Sequence, residues 1–286
     1  MRSLQPGQWR TLSFGPGTPY PVMEIDGIDG LPDIQAADVD RPQTDGSWSG
    51  ADQVSPRTIV LSLGIQGDDP ADLEAKRKAA LFVLGPSRKA VERLIFTDGR
   101  MVYGKLRKSA MPSDMGNDWR LGEIHLQFLC PDPRVYTGDL QSVTLIAGGA
   151  RLSGRTYPRG YQSGIPNFVA PKGWQYPPLT QVISAGQLTN IGNVPAPCDC
   201  TLTGPLLNPA IEVIGQTWFP INVSLGATDV LQVTRDYHVI LNGVERRDLI
   251  GIGAQWPVIP NGTWTIRIFA QSGNGTCFVQ TQSANL

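Results

Sequence analysis

The chain has 286 residues, 41% hydrophobic and 17% charged, with 24 Lys+Arg against 25 Asp+Glu and a formal net charge of −1. The length suits two ordinary domains, and the charge balance argues against a surface built mainly to hold nucleic acid or an anionic membrane. Charged residues fall below the roughly 25% of ordinary globular domains, while 32 glycines and 24 prolines point to many short strands and turns.

The segment Met1 to Gly7 has no apolar h-region, so no signal peptide is read. No window approaches the run of about 18 apolar residues that a membrane span needs. From Leu12 to Ile34 the sequence is turn-rich, with Gly15-Pro16-Gly17, Asp26-Gly27 and Asp29-Gly30; short strands are expected around Tyr20 to Ile25. Residues 35–56 are polar, with Asp45-Gly46 between Arg41-Pro42 and Trp48. This stretch is an extended hairpin or arm, too poor in apolar residues to bury much surface alone, so it needs a neighbour. Arg41, Asp45 and Trp48 are its candidate contact residues. Asp26, Asp29, Asp33, Asp38 and Asp40 cluster nearby. They lie among turn residues, where aspartate caps backbone amides, and are not the paired carboxylates of glycosidic chemistry.

A strand follows from Arg57 to Ile65, with Ile59, Leu61, Leu63 and Ile65 on one face. Asp69 then offers an N-cap oxygen and Pro70 occupies the first helical position, where its missing donor costs nothing. The helix is expected from Pro70 to Leu84, with Leu73, Ala80, Leu81 and Leu84 as its apolar stripe and Gly85-Pro86 as its stop. A hairpin from Leu94 to Leu106 turns over Asp98-Gly99. A strand from Gly122 to Cys130 puts Ile124, Leu126, Phe128 and Cys130 inward and Glu123, His125 and Gln127 outward. Residues 147–178 form a Gly/Pro linker carrying Tyr157, Tyr161, Phe168, Trp174 and Tyr176, dense enough in aromatics to dock on something. From about Leu179 a second β domain begins. Its expected strands are Cys198–Thr203, Ala210–Ile214, Trp218–Ser224, Val230–Thr234, Tyr237–Leu241, Val244–Asp248, Thr263–Phe269 and Cys277–Thr281. Asn242-Gly243 is a two-residue hairpin signal, and the spacing points to an antiparallel sandwich.

Chemistry is hard to find in these residues. Gly99 to Leu106 imitates a phosphate-binding loop but ends in Leu106 where Ser or Thr must hold magnesium, and it lies in a hairpin with no helix to follow. Cys198 and Cys200 share a strand face, yet His125 and His238 are the only histidines and no second close cysteine pair exists. Zinc is therefore not expected, and the thiols read as buried. No Gly-x-Ser-x-Gly elbow appears. The sequons at Asn222, Asn261 and Asn274 carry no weight without a secretory signal. Among Trp218, Phe219, Trp256 and Trp264, Trp264 reads as core and Trp256, before Pro257, as an exposed aromatic that would suit a glycan or a protein partner. No cofactor and no catalytic or metal site is expected.

The order of these signals is similar to that of the distal tail proteins of long-tailed, non-contractile bacteriophages, particularly those of phages of actinobacteria. The resemblance rests on Arg57-Thr58-Ile59-Val60-Leu61, on the Lys76-Arg77-Lys78 helix, on Val102-Tyr103-Gly104-Lys105-Leu106 and on Cys130-Pro131-Asp132-Pro133-Arg134-Val135-Tyr136. Gly154-Arg155-Thr156-Tyr157-Pro158-Arg159, Asn190-Ile191-Gly192-Asn193, Gly204, Asn208-Pro209 and the Asn242-Gly243 hairpin extend it over nearly the whole chain. It implies a mainly β fold: residues 1–146 as a ring-forming β-sandwich or barrel with one helix and a hairpin arm, 147–178 as linker, and 179–286 as a galectin-like sandwich. It implies a six-membered ring joining tail tube to tail tip. The partners would be the tube protein, the tape measure protein and a tail-tip hub or tail-associated lysin, with phage DNA passing through the lumen. Such a protein sits at the virion's tail tip and is assembled in the host cytoplasm. His238 and Asn242 lack the His-x-Asn-x-Arg order of a galectin sugar site.

Overall fold

The computed structural model describes residues 5–85, 91–112, 121–147 and 184–286. They fall into two compact units. One holds the chain up to Asp139 with Ile191–Val194 and Ser283–Leu286; the other holds Leu140–Asn190 and Pro195–Gln282. The linker expected over 147–178 lies outside the described residues, Ala147 excepted.

The first unit begins with a tight hairpin of β1 (Gly7–Trp9) and β2 (Leu12–Phe14), followed by β3 (Val22–Asp26). The arm carries β4 (Ile34–Gln35), β5 (Val39–Asp40), β6 (Ser47–Trp48) and β7 (Gln53–Val54). Then come β8 (Arg57–Gln66), α1 (Pro70–Val83), β9 (Glu92–Ile95), β10 (Met101–Ala110) and β11 (Leu121–Cys130). The next strand, β12 (Val135–Ile146), passes into the second unit. One sheet runs β2-β1-β9-β10-β12 and another β3-β8-β11-β10. β10 serves both: Met101 to Gly104 pair with β9, Lys105 to Ala110 pair with β11. The register shift between Leu106 and Lys108 is a bulge, which bends a strand and lets it change sheets.

Alternation builds the core between these sheets. Ile59, Leu61, Leu63 and Ile65 of β8 and Ile124, Leu126 and Phe128 of β11 are all buried. Trp9 meets Phe128 edge-on at 4.7 Å. Burying each such side chain contributes about 1.5–3 kcal/mol. The helix starts as expected: Asp69 accepts from the Asp72 amide at 2.7 Å and Pro70 stands in the first turn. Its end is closed from outside, because Arg10 Nη1 donates to the Val83 and Gly85 carbonyls at 2.8 and 2.9 Å while Glu92 holds the same guanidinium. A cation there also complements the helix dipole. Leu73, Ala80 and Leu84 are buried as expected, but Leu81 is 54% exposed. At about 100° per residue Leu81 stands roughly 80° from the Leu73–Ala80–Leu84 line, outside the stripe expected of it.

The second unit adds β13 (Ala185–Asn190), β14 (Ala196–Thr203), β15 (Leu206–Leu207), β16 (Ala210–Val213), β17 (Thr217–Pro220), β18 (Ser224–Leu225), β19 (Val230–Val233) and β20 (Val239–Leu241). It continues with β21 (Val244–Glu245), β22 (Val258–Ile259), β23 (Gly262–Phe269), β24 (Ser272–Gly273) and β25 (Thr276–Asn285). One sheet runs β12-β25-β14-β19-β20-β21, a second β13-β23-β16-β17 and a small third β18-β15-β24. Cys200, Leu202, Leu231 and Val233 of the first and Ile211, Val213, Ile266 and Ile268 of the second enclose one apolar core. This is an antiparallel sandwich. Asn242 and Gly243 both take positive φ, 49° and 83°, as a type I′ hairpin turn requires. Three expected strands are clearly shorter: that over Trp218–Ser224 ends at Pro220, before the separate Ser224–Leu225. Tyr237, at φ 64°, sits in a turn, so its strand starts at Val239; after Glu245 the chain makes a 3₁₀ turn, Arg247–Leu249.

Candidate functional site

The arm is the first candidate. Its strands pair in two steps, Ile34 with Val54 and Gln35 with Gln53, then Val39 with Trp48 and Asp40 with Ser47. The Arg41 amide donates to the Gly46 carbonyl at 3.1 Å across the tip, and the Asp38 carboxylate accepts from the Gly50 amide at 3.0 Å. Every residue from 33 to 54 is exposed, Arg41, Asp45 and Trp48 among them. Two apolar pairs thus face each other across the ladder with solvent around them: Ile34 and Val54 are 56% and 40% exposed, Val39 and Trp48 61% and 54%. Isolated two-stranded ribbons are marginal in water, and exposed apolar residues clustered this way mark a partner surface. Five aspartates (Asp33, Asp38, Asp40, Asp45 and Asp52) against Arg41 make the arm acidic.

The root of the arm is built around Arg57, a residue the sequence showed only as the start of a strand. Its side chain is buried. Nη1 donates to the carbonyls of Gly27, Ile28 and Gly30 at 2.8, 3.1 and 3.0 Å, and Nε to Pro133 at 2.9 Å. Burial holds the guanidinium below its ordinary pKa, though it stays charged. Arg100 bonds both Asp29 and Asp98, and that hydrogen bond holds the Asp29 carboxyl below its usual range. Gly27 has φ +82°, and an added Cβ would lie 2.1 Å from the Thr58 carbonyl oxygen. The neck closes with the Ser55 amide on the Asp33 carbonyl at 2.8 Å. A cleft of about 200 Å³ opens here between 27–33 and 56–58. The root of the arm is therefore tied to the body by contacts between residues far apart in sequence.

The residues with chemical potential are dispersed. Gly99 sits in the hairpin turn at φ 82° and Met101 to Leu106 run along β10, so no amides converge on an anion. Cys130, Cys198, Cys200 and Cys277 are free and buried. Burial pushes the Cys130 and Cys198 thiols up to about 12, and the hydrogen bond with Cys277, then burial, raises Cys200. Among the described residues no three His, Cys, Asp or Glu side chains converge to hold a metal. Ser62 Oγ lies 3.1 Å from His125 Nδ1, whose Nε2 is 3.4 Å from Glu123. These are the residue types of a hydrolytic triad, but Ser62 and His125 are direct partners in the β8–β11 ladder. The neighbouring amides are committed to that ladder and cannot form an oxyanion hole. His238 binds Glu245 at 2.8 Å in a surface cluster with Arg247.

Trp256 is half-buried. Its ring packs on Phe219 at 4.7 Å and meets Tyr237 edge-on at 5.3 Å. Trp264 packs against the core and donates to the Asn261 carbonyl at 3.1 Å. A feature the sequence reading missed lies on α1, where Phe82 is 91% exposed beside Leu81. The signal was present as an aromatic on the helix side opposite the expected stripe.

No family model and no curated protein matches this chain. Its fold is similar to the crystal structure of the Dit protein of phage SPP1, described as a paradigm of the hub adsorption apparatus in phages that infect Gram-positive bacteria. Identity is 15% over 93% of this chain and 94% of that one, with a TM-score of 0.54. It is also similar to a chain of the phage P2 baseplate in its activated conformation with calcium, at 10% identity over 93% of this chain and 91% of that one, TM-score 0.52. At such identities the likeness is one of fold.

Proposed function

We propose that this chain is a structural virion protein of a phage tail tip, a ring subunit joining the tail tube to the baseplate and its host-recognition apparatus. The observation that carries the reading is a fold likeness spanning 93% of this chain and 94% of a phage hub protein. The arm supports it: its exposed length, residues 33–54, is close to the roughly 20–30 residues a side of a standard protein interface. A six-fold ring, contacts with tube, tape measure and tail-tip hub or lysin, passage of DNA through the lumen, an actinobacterial host and assembly in its cytoplasm belong to this proposal. Light scattering of the purified full chain tests it. Mass should rise with concentration to a discrete oligomer, and Trp48→Ala should shift that rise to higher concentration. A monomer throughout would sink the reading.

A second reading, a glycan-binding adhesin, is favoured by one observation: Tyr237 is 43% exposed and stands edge-on to Trp256, an aromatic pair able to stack on a sugar ring. Binding of the full chain to host wall polysaccharide, lost in Tyr237→Ala and Trp256→Ala, would favour it.

A further inference from the structure

Cations gather on the outer face of the β9–β10 ladder. Val102, Gly104 and Leu106 of β10 are buried, so Tyr103 and Lys105 take the opposite face, and Arg93 of β9 stands across the ladder from Tyr103. At a bulge two residues face one on the partner strand; here Arg107 and Lys108 stand against Gln127, and both are exposed. Strict alternation would turn Lys108 into the core. The bulge that carries β10 from one sheet to the other therefore also brings a further cation to the outer face. From the level of Arg93 and Tyr103 to Lys108 the line spans roughly 17 Å at about 3.3 Å per residue. Arg93, Lys105, Arg107 and Lys108 form no ion pair among the described residues. The neighbouring acids are engaged elsewhere: Glu92 by Arg10, Asp98 by Arg100 and Asp132 by Arg134, while Glu123 faces His125. On a chain of net charge −1 this is a local concentration of like charge, and like charges side by side on a sheet repel.

The breadth of the patch selects its ligand. β11, β8 and β3 lie beside β10 in that order, so β3 is about 14 Å away at about 4.8 Å per strand. The row of Lys108 continues through Gln127 and Val60 to Asp26, and the next row runs from Ala110 through His125 and Ser62 to Glu24. Asp26 and Glu24 are exposed. A nucleic-acid duplex, whose major groove alone is about 12 Å across, would overlie these acids. A single polyanionic strand can follow β10 and avoid them. At the Arg93 end the line opens on a cleft of about 280 Å³ lined by Gln8, Arg10, Glu92, Arg93 and Ile95. Arg10 neutralises Glu92 there at 2.6 Å, so Arg93 sets the charge of the cleft. We propose that the outer face of β9–β10 binds one extended phosphodiester chain of an anionic host-wall polymer, with Arg93, Lys105, Arg107 and Lys108 each meeting a phosphate. The wall as source rests on the tail-tip reading; the recognition chemistry rests on these residues alone.

Fluorescence anisotropy of the full chain tests this with a soluble poly(glycerol phosphate), a single-stranded oligothymidylate and a DNA duplex of the same length. The first two should bind, and the duplex should bind more weakly than the strand. Four phosphates neutralised on a single strand give a salt slope of about −2.8, so affinity for oligothymidylate should fall about 50-fold between roughly 50 and 200 mM salt. Arg107→Gln combined with Lys108→Gln should weaken both interactions and bring the slope to about −1.4. Lys78→Gln, on α1, should change neither. A slope unmoved by the double substitution, an equal loss in Lys78→Gln, or no binding to either single chain would overturn the site. A duplex held more tightly than the strand would overturn the single-chain assignment. Binding of oligothymidylate without poly(glycerol phosphate) would overturn the wall polymer as the ligand. A protein that stays monomeric yet binds both single chains would keep this inference while the ring reading falls.

Discussion

Arg57→Met removes the buried guanidinium while keeping most of its volume. Three N–H groups lose their acceptors, two on Nη1 shared among the carbonyls of Gly27, Ile28 and Gly30 and one on Nε to Pro133. At about 2 kcal/mol for each N–H of a charged donor, the loss is roughly 6 kcal/mol. Some of this returns, because a buried charge no longer has to be desolvated. A return of roughly 3 kcal/mol leaves a net loss of about 3 kcal/mol, which corresponds to about 100-fold faster opening. Hydrogen exchange by mass spectrometry reads this locally. Peptides spanning 27–33, 57–66 and 121–130 should exchange about 100-fold faster, while one spanning 196–203, in the other unit, stays unchanged and serves as reference. Arg57→Lys keeps the charge but offers one nitrogen to four acceptors, so it should fall between wild type and Arg57→Met. Exchange within about threefold of wild type in all three peptides would refute the assignment of Arg57 as the anchor of the arm.

Gly27→Ala should be worse than Arg57→Met, since it combines a positive φ with a Cβ set against the Thr58 carbonyl; near-UV circular dichroism of the first unit's aromatics should be lost at temperatures where wild type is folded. Asp69→Ala removes the N-cap of α1 at a cost of about 1 kcal/mol, visible as about fivefold faster exchange in a peptide spanning 70–84 with other peptides unmoved. Alkali should weaken the fold through its thiols. Cys130 is pushed from 9.0 up to about 12 by burial, so its folded pKa lies above the unfolded one. Its stabilisation is intact below pH 9 and is lost as pH rises towards 12, by about 1.4 kcal/mol per pH unit. Urea midpoints at pH 8, 10 and 11 should fall less steeply in Cys130→Ala than in wild type; parallel slopes would contradict the burial of this thiol.

What the sequence revealed was governed by short-range rules. The alternation in β8 and β11, the Asp69-Pro70 helix start, the turn at Asp98-Gly99 and the Asn242-Gly243 hairpin each depend on residues within a few positions of one another. The strand Val135–Ile146 escaped notice because its Gly138 and polar residues break the alternation. Ala185–Asn190 lay hidden behind a Gly/Pro-rich stretch. Tyr237 looked like a strand residue, and only the turn closed by its amide on the Thr234 carbonyl puts it at positive φ. Leu81 fitted an apolar spacing but stands on the flank of the helix, about 80° from the buried line and about 100° from Phe82, and spacing alone does not tell how wide the buried stripe is. The anchor Arg57 was invisible for a different reason. Its partners lie between 27 and 76 residues away, so only the fold brings the carbonyls to it. The arm itself was legible as a polar span around Asp45-Gly46, whereas its stepped pairing was not.

The ring is the central claim, and negative-stain class averages of the purified full chain test it most directly. Closed particles with rotational symmetry, disrupted by Trp48→Ala at the same protein concentration, are the predicted result. Averages showing isolated single copies at every concentration, in wild type and variant alike, would contradict it.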